Sequence, residues 1–417
     1  MAPSPPAAQL RGTETLTRPL DGVGVLDFTR VLAGPHCVKV LHDLGASVIK
    51  VEPPSGDLAR LAVPISGGTS HYYAQQNAGK RNISIDLNFP SGRAIAMELC
   101  ERADVIVENF RPGTLAFYGL DYRSVADNNP RIVYVSISGY GQTGPWRSRA
   151  GFAPTVQAET GFTDALLRHF SLDGEGARND FSSHADVYTG LEAAIATLAA
   201  LQQRNTTGRG QHVDVAMSAT MLAVNERLHA QLSDIDTEGE PVALSASDSP
   251  IIGLPGGVRV TIAGSPVYTP IFHRYCAIMR RTDLLSDPRF LTPHLRKENE
   301  RELLAEVRNW LLTFSDLEAI EAQVKVGGLA IGVVRTTEEF IDSEWSQHRR
   351  PVVEVGDGAG GVIRVPRPPW LFSEAALEDA TTVAQRGEHN FDVLSELGVS
   401  GERIKQLEAE GVLSSDP

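Results

Sequence analysis

From Gly22 onward, short β-branched apolar runs alternate with segments whose apolar residues recur every three or four positions. That rhythm predicts parallel strands joined by helical crossovers. Strands are expected at GVGVLDF (22–28), SVIKVE (47–52), ISIDL (83–87), DVIVENF (104–110), RIVYVSIS (131–138) and HVDVAM (212–217). Helices are expected at about Pro35–Leu44, over SGRAIAMELCERA (91–103), from about Ala185 to Arg204, and after the strand HVDVAM to about Leu232. The Gly-rich TTGRGQ closes the long helix, and the polar stretch Asp234–Pro250 reads as a linker. Beyond it the pattern changes to a smaller unit, with a strand in GGVRVTIAG (256–264), a helix after Pro270 and an amphipathic helix across ENERELLAEVRNWLL (298–312). Further strands are expected at AIGVVR (330–335) and PVVEV (351–355), and short acidic helices in the last forty residues. The fold class is α/β, with a large doubly wound domain and a second, smaller one.

Composition narrows the function more than the fold. The 417 residues are 42% apolar and 22% charged, and no apolar stretch reaches the roughly 18 residues of a membrane span. Lys and Arg number 38 against 52 Asp and Glu, a formal charge of −14, which disfavours nucleic acid or an anionic membrane as partner. The three cysteines, Cys37, Cys100 and Cys276, have no paired spacing and suit a reducing cytoplasm. MAPSPPAAQL at the start lacks the basic and apolar regions of an export signal and reads as a frayed tail. The histidines, His71, His184 and His273 among them, show no metal-ligand spacing, so no metal is expected.

Three features bear on chemistry. Gly139-Tyr-Gly141-Gln-Thr-Gly144 matches a dinucleotide fingerprint, but Pro145 and Trp146 follow and no helix opens on the third glycine, so a sharply turning loop is the better reading. Between Arg30 and Arg111 nine basic residues face eight acidic ones, and Lys80, Arg81 and Arg111 stand at strand termini, which leaves a local anion site open beside ordinary surface charge. Asp186 begins the long helix in SSHADVYTG, where the macrodipole and free N–H groups favour the carboxylate by roughly 0.3–1 kcal/mol. Such a residue can be a nucleophile or an ordinary N-terminal cap, and spacing alone does not separate the two.

Nine blocks occurring in order supply what spacing lacks. LDFTRVLAGP (26–35), LGASVIKVEPPSGDLAR (44–60), NAGKRNISIDL (77–87), ADVIVENFRPG (103–113), NPRIVYVSISGYGQTGP (129–145), ADVYTG (185–190), TGRGQHVDVAM (207–217), DPRF (287–290) and RGEHN (386–390) resemble the class III CoA-transferases, the CaiB/BaiF type, over about residues 19–413. The family includes formyl-CoA and carnitine CoA-transferases and the alpha-methylacyl-CoA racemases. The resemblance implies that Asp186 attacks an acyl-CoA thioester, forming a mixed anhydride and then an aspartyl-CoA thioester, with coenzyme A as the carried group and no metal. A carboxylate is a weak nucleophile, but an activated acyl donor held in line needs no separate base. Glycine-rich loops, either GYGQTG or Gly253–Gly257, are the candidates for oxyanion donors. Residue by residue, the match places Val31, Leu32 and Ala33 on the turn against CoA, and Ile85, Leu87 and Asn88 at the nucleotide end with Lys80 and Arg81 near phosphate. Asn109, Phe110 and Arg111 fall on the loop that meets pantetheine and phosphates.

The resemblance also implies architecture and partners. A tail over 1–18, a large domain over 19–230, a small domain over 231–330 and a return to the large domain over 331–417 are expected, with two ring-like chains interlocked as a homodimer. The large domain is Rossmann-like and the smaller one α+β; the partners are an acyl-CoA donor and a carboxylic acid acceptor. Departures matter equally. Gly151-Phe152-Ala153 stands where the racemases carry a His–Asp pair, which leaves a racemase-like isomerase as the alternative reading, beside a non-catalytic CoA-ester-binding subunit. Ala153 and Leu32 replace residues that go with oxalate, so a larger or less polar acid is expected.

Overall fold

The computed structural model describes residues 17–170, 178–233 and 249–416. The chain divides into two compact units, one of Met1–Leu228 with Arg350–Pro417 and one of His229–Arg349. The expected tail over 1–18 lies outside the described residues up to residue 16; Arg18 is described and pairs with Asp21 and Glu378. The linker expected at Asp234–Pro250 lies almost wholly outside them as well.

The larger unit is built on six parallel strands: β1 (Gly24–Asp27), β2 (Ser47–Glu52), β3 (Arg81–Ser84), β4 (Val105–Glu108), β5 (Val133–Ser138) and β6 (Gln211–Ala216). Their order across the sheet is β3-β2-β1-β4-β5-β6. Each expected strand is present, and two end earlier than the apolar pattern suggests. After Ser84 the chain leaves the sheet, and Ile85 bridges to Leu413 instead. After Glu108 the Asn109 side chain turns to the backbone of Arg30. The central strands β1, β4 and β5 are mostly apolar on both faces, as a sheet covered by helices on both sides requires, whereas the edge strand β6 exposes His212 and Asp214. Leu26, Ile83, Ile106 and Tyr134 enter one core cluster, and Val25, Val48, Val107 and Val135 the other.

Five helices of this unit concern the site: α1 (Ala33–Asp43), α2 (His71–Asn77), α3 (Pro90–Arg102), α4 (Ala153–Glu159) and α5 (His184–Thr207). Helix α5 ends where Gly208 takes φ 74°, a left-handed conformation that glycine adopts at little cost. Helices α1 and α5 cross closely because Gly190 has no side chain. A Cβ there would lie 2.7 Å from the carbonyl oxygen of Ala33.

The C-terminal segment closes the β3 edge of the sheet. In the RGEHN block, the Gly387 N–H donates to Asn82 Oδ1, Asn82 N–H to His389 Nδ1, and Ser84 N–H to Asn390 Oδ1. Val393, Leu394, Ile404 and Leu407, from the two helices Asn390–Glu396 and Gly401–Ala409, join the core beneath. An otherwise open edge is thereby covered.

The smaller unit holds a three-stranded antiparallel sheet in which Arg259–Ile262 lies between Ile251–Gly253 and Ile331–Val333. Helices Thr269–Met279, Glu300–Leu311 and Leu317–Val326 pack against it around Phe272, Tyr275, Leu303, Val307 and Val324. A return to the larger unit at residue 331 is therefore too early. Ile331–Val333 pairs inside the small sheet, and the crossing falls at Arg350.

Candidate active site

In a doubly wound sheet, ligands bind outside the carboxyl ends of the strands where the strand order reverses. Here that point lies between β1 and β4, and the segments that follow them are Arg30–Ala33 and Asn109–Pro112. Both line a cleft of about 230 Å³, together with Ser138 and Gly139 beyond β5, Arg149–Phe152, Met217 and Asp186. Among the site residues expected from sequence, Val31, Leu32, Ala33, Asn109, Phe110, Arg111 and Asp186 meet in this one cleft.

Asp186 stands in the first turn of α5, two residues beyond His184, where the amide groups are not yet used within the helix. The helix start is held from outside: the Ala185 N–H donates to Gln157 Oε1 of α4, and His184 meets Asp180 at 2.5 Å. Burial raises the Asp186 carboxyl to about 6. The same surroundings hold the Tyr72 phenol protonated, pushed up to about 12 by burial and then by Asp186 and Asp57. Tyr72, on α2, is a neighbour of the carboxylate that sequence spacing does not reveal, because α2 is more than a hundred residues away along the chain.

The turn before α1 is strained and deliberately held. Val31 has φ 66°, a region that β-branched residues avoid, at a cost on the order of 1–3 kcal/mol. Its N–H donates to both carboxylate oxygens of Asp57 at 3.0 and 3.2 Å, and Asp57 pairs with the buried Lys50 at 3.2 Å. Asn109 fixes the next residue back: its Oδ1 accepts from Arg30 N–H at 2.8 Å and its Nδ2 donates to Arg30 O at 2.9 Å. Asn109 thus lines the cleft while its amide is occupied in positioning Arg30.

A second cleft of about 280 Å³ adjoins the first and is lined by Pro53, Ile85, Asp86, Leu87, Asn88 and Tyr118, with Arg30 and Phe110 common to both. Ile85, Leu87 and Asn88 therefore fall where an extended ligand crossing the switch point would continue. The Arg30 guanidinium lies 5.0 Å over the Phe110 ring between the two clefts. Arg30 was visible in the sequence only as one basic residue among nine. Its importance comes from the turn that Asn109 and Asp57 shape.

Lys80 and Arg81 do not join these residues. Lys80 is 3% exposed, and its ammonium reaches Asp27 at 2.9 Å, Asn77 Oδ1 at 3.0 Å and the Pro35 carbonyl at 3.2 Å. Burial pulls it down to about 8 against the pull of Asp27. It is a strut between β1 and the segments around it, with no face left for a phosphate. Arg81 opens β3 and pairs with Glu396, beside Gly24 and Ser47 at the opposite, amino ends of the strands. The basic excess between Arg30 and Arg111 dissolves in the same way, since Lys39, Lys50, Arg60, Lys80, Arg81 and Arg102 are ion-paired.

One more buried carboxyl lies under the cleft. Glu108 ends β4, accepts from Phe110 N–H at 2.8 Å, and is raised by burial to about 7. The GYGQTG loop makes no helix: Gly141 N–H donates to Ser138 Oγ, and Gly139 is pressed against Gly151, where a Cβ would come within 2.7 Å of the Gly151 Cα. Gly139 and Gly151 both line the cleft, whereas Gly253–Gly257 belongs to the other unit. Among the described residues no three His, Cys, Asp or Glu side chains converge as a metal site would require, and no helix is long and apolar enough to cross a membrane.

Fold and site define a doubly wound α/β protein with a ligand crevice at its switch point and a partly buried carboxylate at a helix start inside it. Residues 20–390 match the family model CoA-transferase family III, and the chain belongs to that family. It is 30% identical to a succinyl-CoA–D-citramalate CoA-transferase of Chloroflexus aurantiacus, over 95% of this chain and 98% of that one. It is 32% identical to a mouse succinyl-CoA:glutarate CoA-transferase, over 95% and 90% respectively. A CaiB/BaiF family protein of Brucella suis superposes with a TM-score of 0.74 at 30% identity, covering 91% of this chain and all of that one.

Proposed function

We propose that the protein transfers CoA from an acyl-CoA thioester to a free carboxylic acid, with Asp186 as the covalent relay. The observation that carries this reading is the Asp186 carboxylate, desolvated and raised to about 6 in a cleft shared with the Arg30–Ala33 and Asn109–Pro112 segments. At pH 7–8 it is mostly ionised, and its raised basicity makes it a better nucleophile than an ordinary aspartate.

An Asp186 oxygen attacks the acyl carbon; a C–O bond forms, the C–S bond breaks, and CoA leaves as the thiolate. The thiolate attacks the Asp186 carbonyl carbon of the anhydride, releasing the first acid as its carboxylate and leaving an aspartyl-CoA thioester. The acceptor carboxylate attacks that same carbon and expels the thiolate, which then takes the acceptor's acyl group and returns Asp186 as the free carboxylate. One anion enters each step and one leaves, so no proton donor or base is needed. The CoA arm is read as lying over Phe110 and Arg30 into the cleft of Ile85, Leu87 and Asn88, with Arg30 and Arg111 near its phosphates. The amides of Gly139 and Gly151 are the oxyanion donors of this reading. Succinate, glutarate and citramalate, the acids in the relatives' names, are all dicarboxylic, and we extend that class to this chain.

Mass spectrometry after incubation with succinyl-CoA tests the relay. An adduct on Asp186, with transfer lost by a factor of at least about 10³ in Asp186→Ala, is the expected result; an Asp186→Ala protein of undiminished activity would overturn it. Isomerase chemistry finds no support at Gly151-Phe152-Ala153, where no side chain offers a base and Gly151 is packed against Gly139.

A further inference from the structure

Three arginines line the cleft around Asp186, and the topology divides them. Arg30 and Arg111 follow β1 and β4. Phe110 lies between them in that loop pair, and Arg30 also lines the second cleft. The residues of that second cleft follow β1, β2, β3 and β4, so an extended ligand occupying both clefts runs over that half of the sheet. Arg149 follows β5, on the other side of the switch point.

Arg149 is held in place by its neighbours. Its guanidinium lies 4.3 Å over the Trp146 ring and 5.1 Å over the Tyr140 ring, and those two rings meet edge to face at 5.5 Å. Its Nη2 donates to Glu159 Oε1 of α4. A guanidinium carries five N–H donors in a planar fork, so stacking and one carboxylate orient it without exhausting it. Apart from Ser138, whose hydroxyl accepts from Gly141 N–H, the residues lining this side of the cleft are apolar or glycine: Ile137, Gly139, Ala150, Gly151, Phe152 and Met217. Among the described residues Asp186 is the one acid that lines it. An anionic group entering on the β5 side therefore meets one oriented cation, Arg149, in the cleft that also holds Asp186.

We infer that Arg149 is the specificity-determining residue that receives the distal carboxylate of a dicarboxylic acid while the acid's other carboxyl group reacts at Asp186. The inference rests on the CoA-transfer reading and adds to it the group that recognises the acyl chain. Burying a carboxylate in an apolar cleft is costly unless it is paired, and a charge-assisted bidentate contact both pairs and orients it. The contact is the same in the acyl-CoA and in the free acid, so donor and acceptor are selected by one residue.

The test compares two thioesters that differ only in the distal group, succinyl-CoA and butanoyl-CoA, each with glutarate and with pentanoate as acceptor. The full chain is used as wild type, Arg149→Gln and Arg149→Lys. Wild type is expected to favour succinyl-CoA and glutarate. Arg149→Gln is expected to lower kcat/KM for them by roughly ten- to a hundred-fold, chiefly through KM, and to change butanoyl-CoA and pentanoate by less than about threefold. Arg149→Lys is expected to recover part of the loss. Equal losses for both classes of acid would overturn the inference, since that is the signature of a structural or CoA-anchoring role, and so would a wild type indifferent to the distal carboxylate. Failure of the underlying reading is seen separately: no thioester of either class would then leave an adduct on Asp186 in the wild-type protein.

Discussion

Asp186 carries two opposed demands in one side chain. Burial raises its carboxyl from the ordinary aspartate value of 3.8 to about 6. The folded protein thus holds this proton more tightly than the unfolded chain, so ionisation subtracts from stability as the pH climbs from about 4 to about 6, and by a constant amount above that. The nucleophile needs the ionised form that the fold disfavours. Two results are expected from this conflict. The acid limb of kcat/KM should fall at an apparent pKa near 6, measured on the free enzyme at low acyl-CoA. Asp186→Asn should abolish transfer yet melt up to a few degrees higher than wild type at pH 7.5, with the gap closing below pH 4, as followed by thermal unfolding at several pH values. A lower melting temperature for Asp186→Asn at pH 7.5 would show that the carboxylate is a stabilising cap instead. The sequence offered both readings of Asp186; its burial, which spacing does not encode, is what makes these measurements able to separate them.

Among the elements, the crossing of α1 and α5 decides where the site lies. ADVYTG brings together a carboxylate at the helix start and, one turn later, the glycine that lets α1 approach; the Ala33 carbonyl and the His36 side chain occupy the space a Cβ would take. Gly190→Ala would drive that methyl to 2.7 Å from the Ala33 oxygen, which the backbone must yield to relieve. The expected cost is about 1–3 kcal/mol in denaturant unfolding, with a loss of kcat/KM as the Val31–Ala33 turn moves from Asp186. Unchanged stability and turnover would mean that the crossing has slack. The resemblance put Asp186 and the Val31–Ala33 turn in one site, and the glycine explains how two elements 150 residues apart in the chain come to share it. It also marks what the motif blocks conceal, because NAGKRN contains Lys80 and RGEHN contains Arg386–Asn390, and both blocks serve the sheet. Lys80 is a buried partner of Asp27, and RGEHN seals the β3 edge.

Across the whole molecule, charge is distributed against its mean. Ten acidic residues against three basic ones lie between Ser373 and Pro417, half of the chain's net −14. At the clefts the cations in view are Arg30, Arg111 and Arg149. In the proposed function a polyanionic thioester approaches an acidic protein through this small basic window. If Arg30 and Arg111 meet the CoA phosphates as proposed, the KM for acyl-CoA is expected to rise several-fold between about 0.02 and 0.3 M salt, as screening shortens their reach. In Arg30→Gln/Arg111→Gln the KM should start about tenfold higher and lose most of its salt dependence. A salt response that is the same in wild type and the double variant would place the phosphates elsewhere.

The sequence by itself determined the α/β class, the six parallel strands and the family, because apolar periodicity and nine ordered blocks are local properties of the chain. It also singled out Asp186 and the two loops of the switch point. Only the tertiary structure decided which cations line the clefts. A lysine in a basic run reads the same whether it meets phosphate or a buried aspartate, and Lys80 and Arg30 are told apart by the partners that packing gives them. Strained Val31 and the Asn109 clamp on Arg30 exist through contacts between segments far apart in sequence. No local pattern records those contacts, since their energy comes from groups that only folding brings within reach.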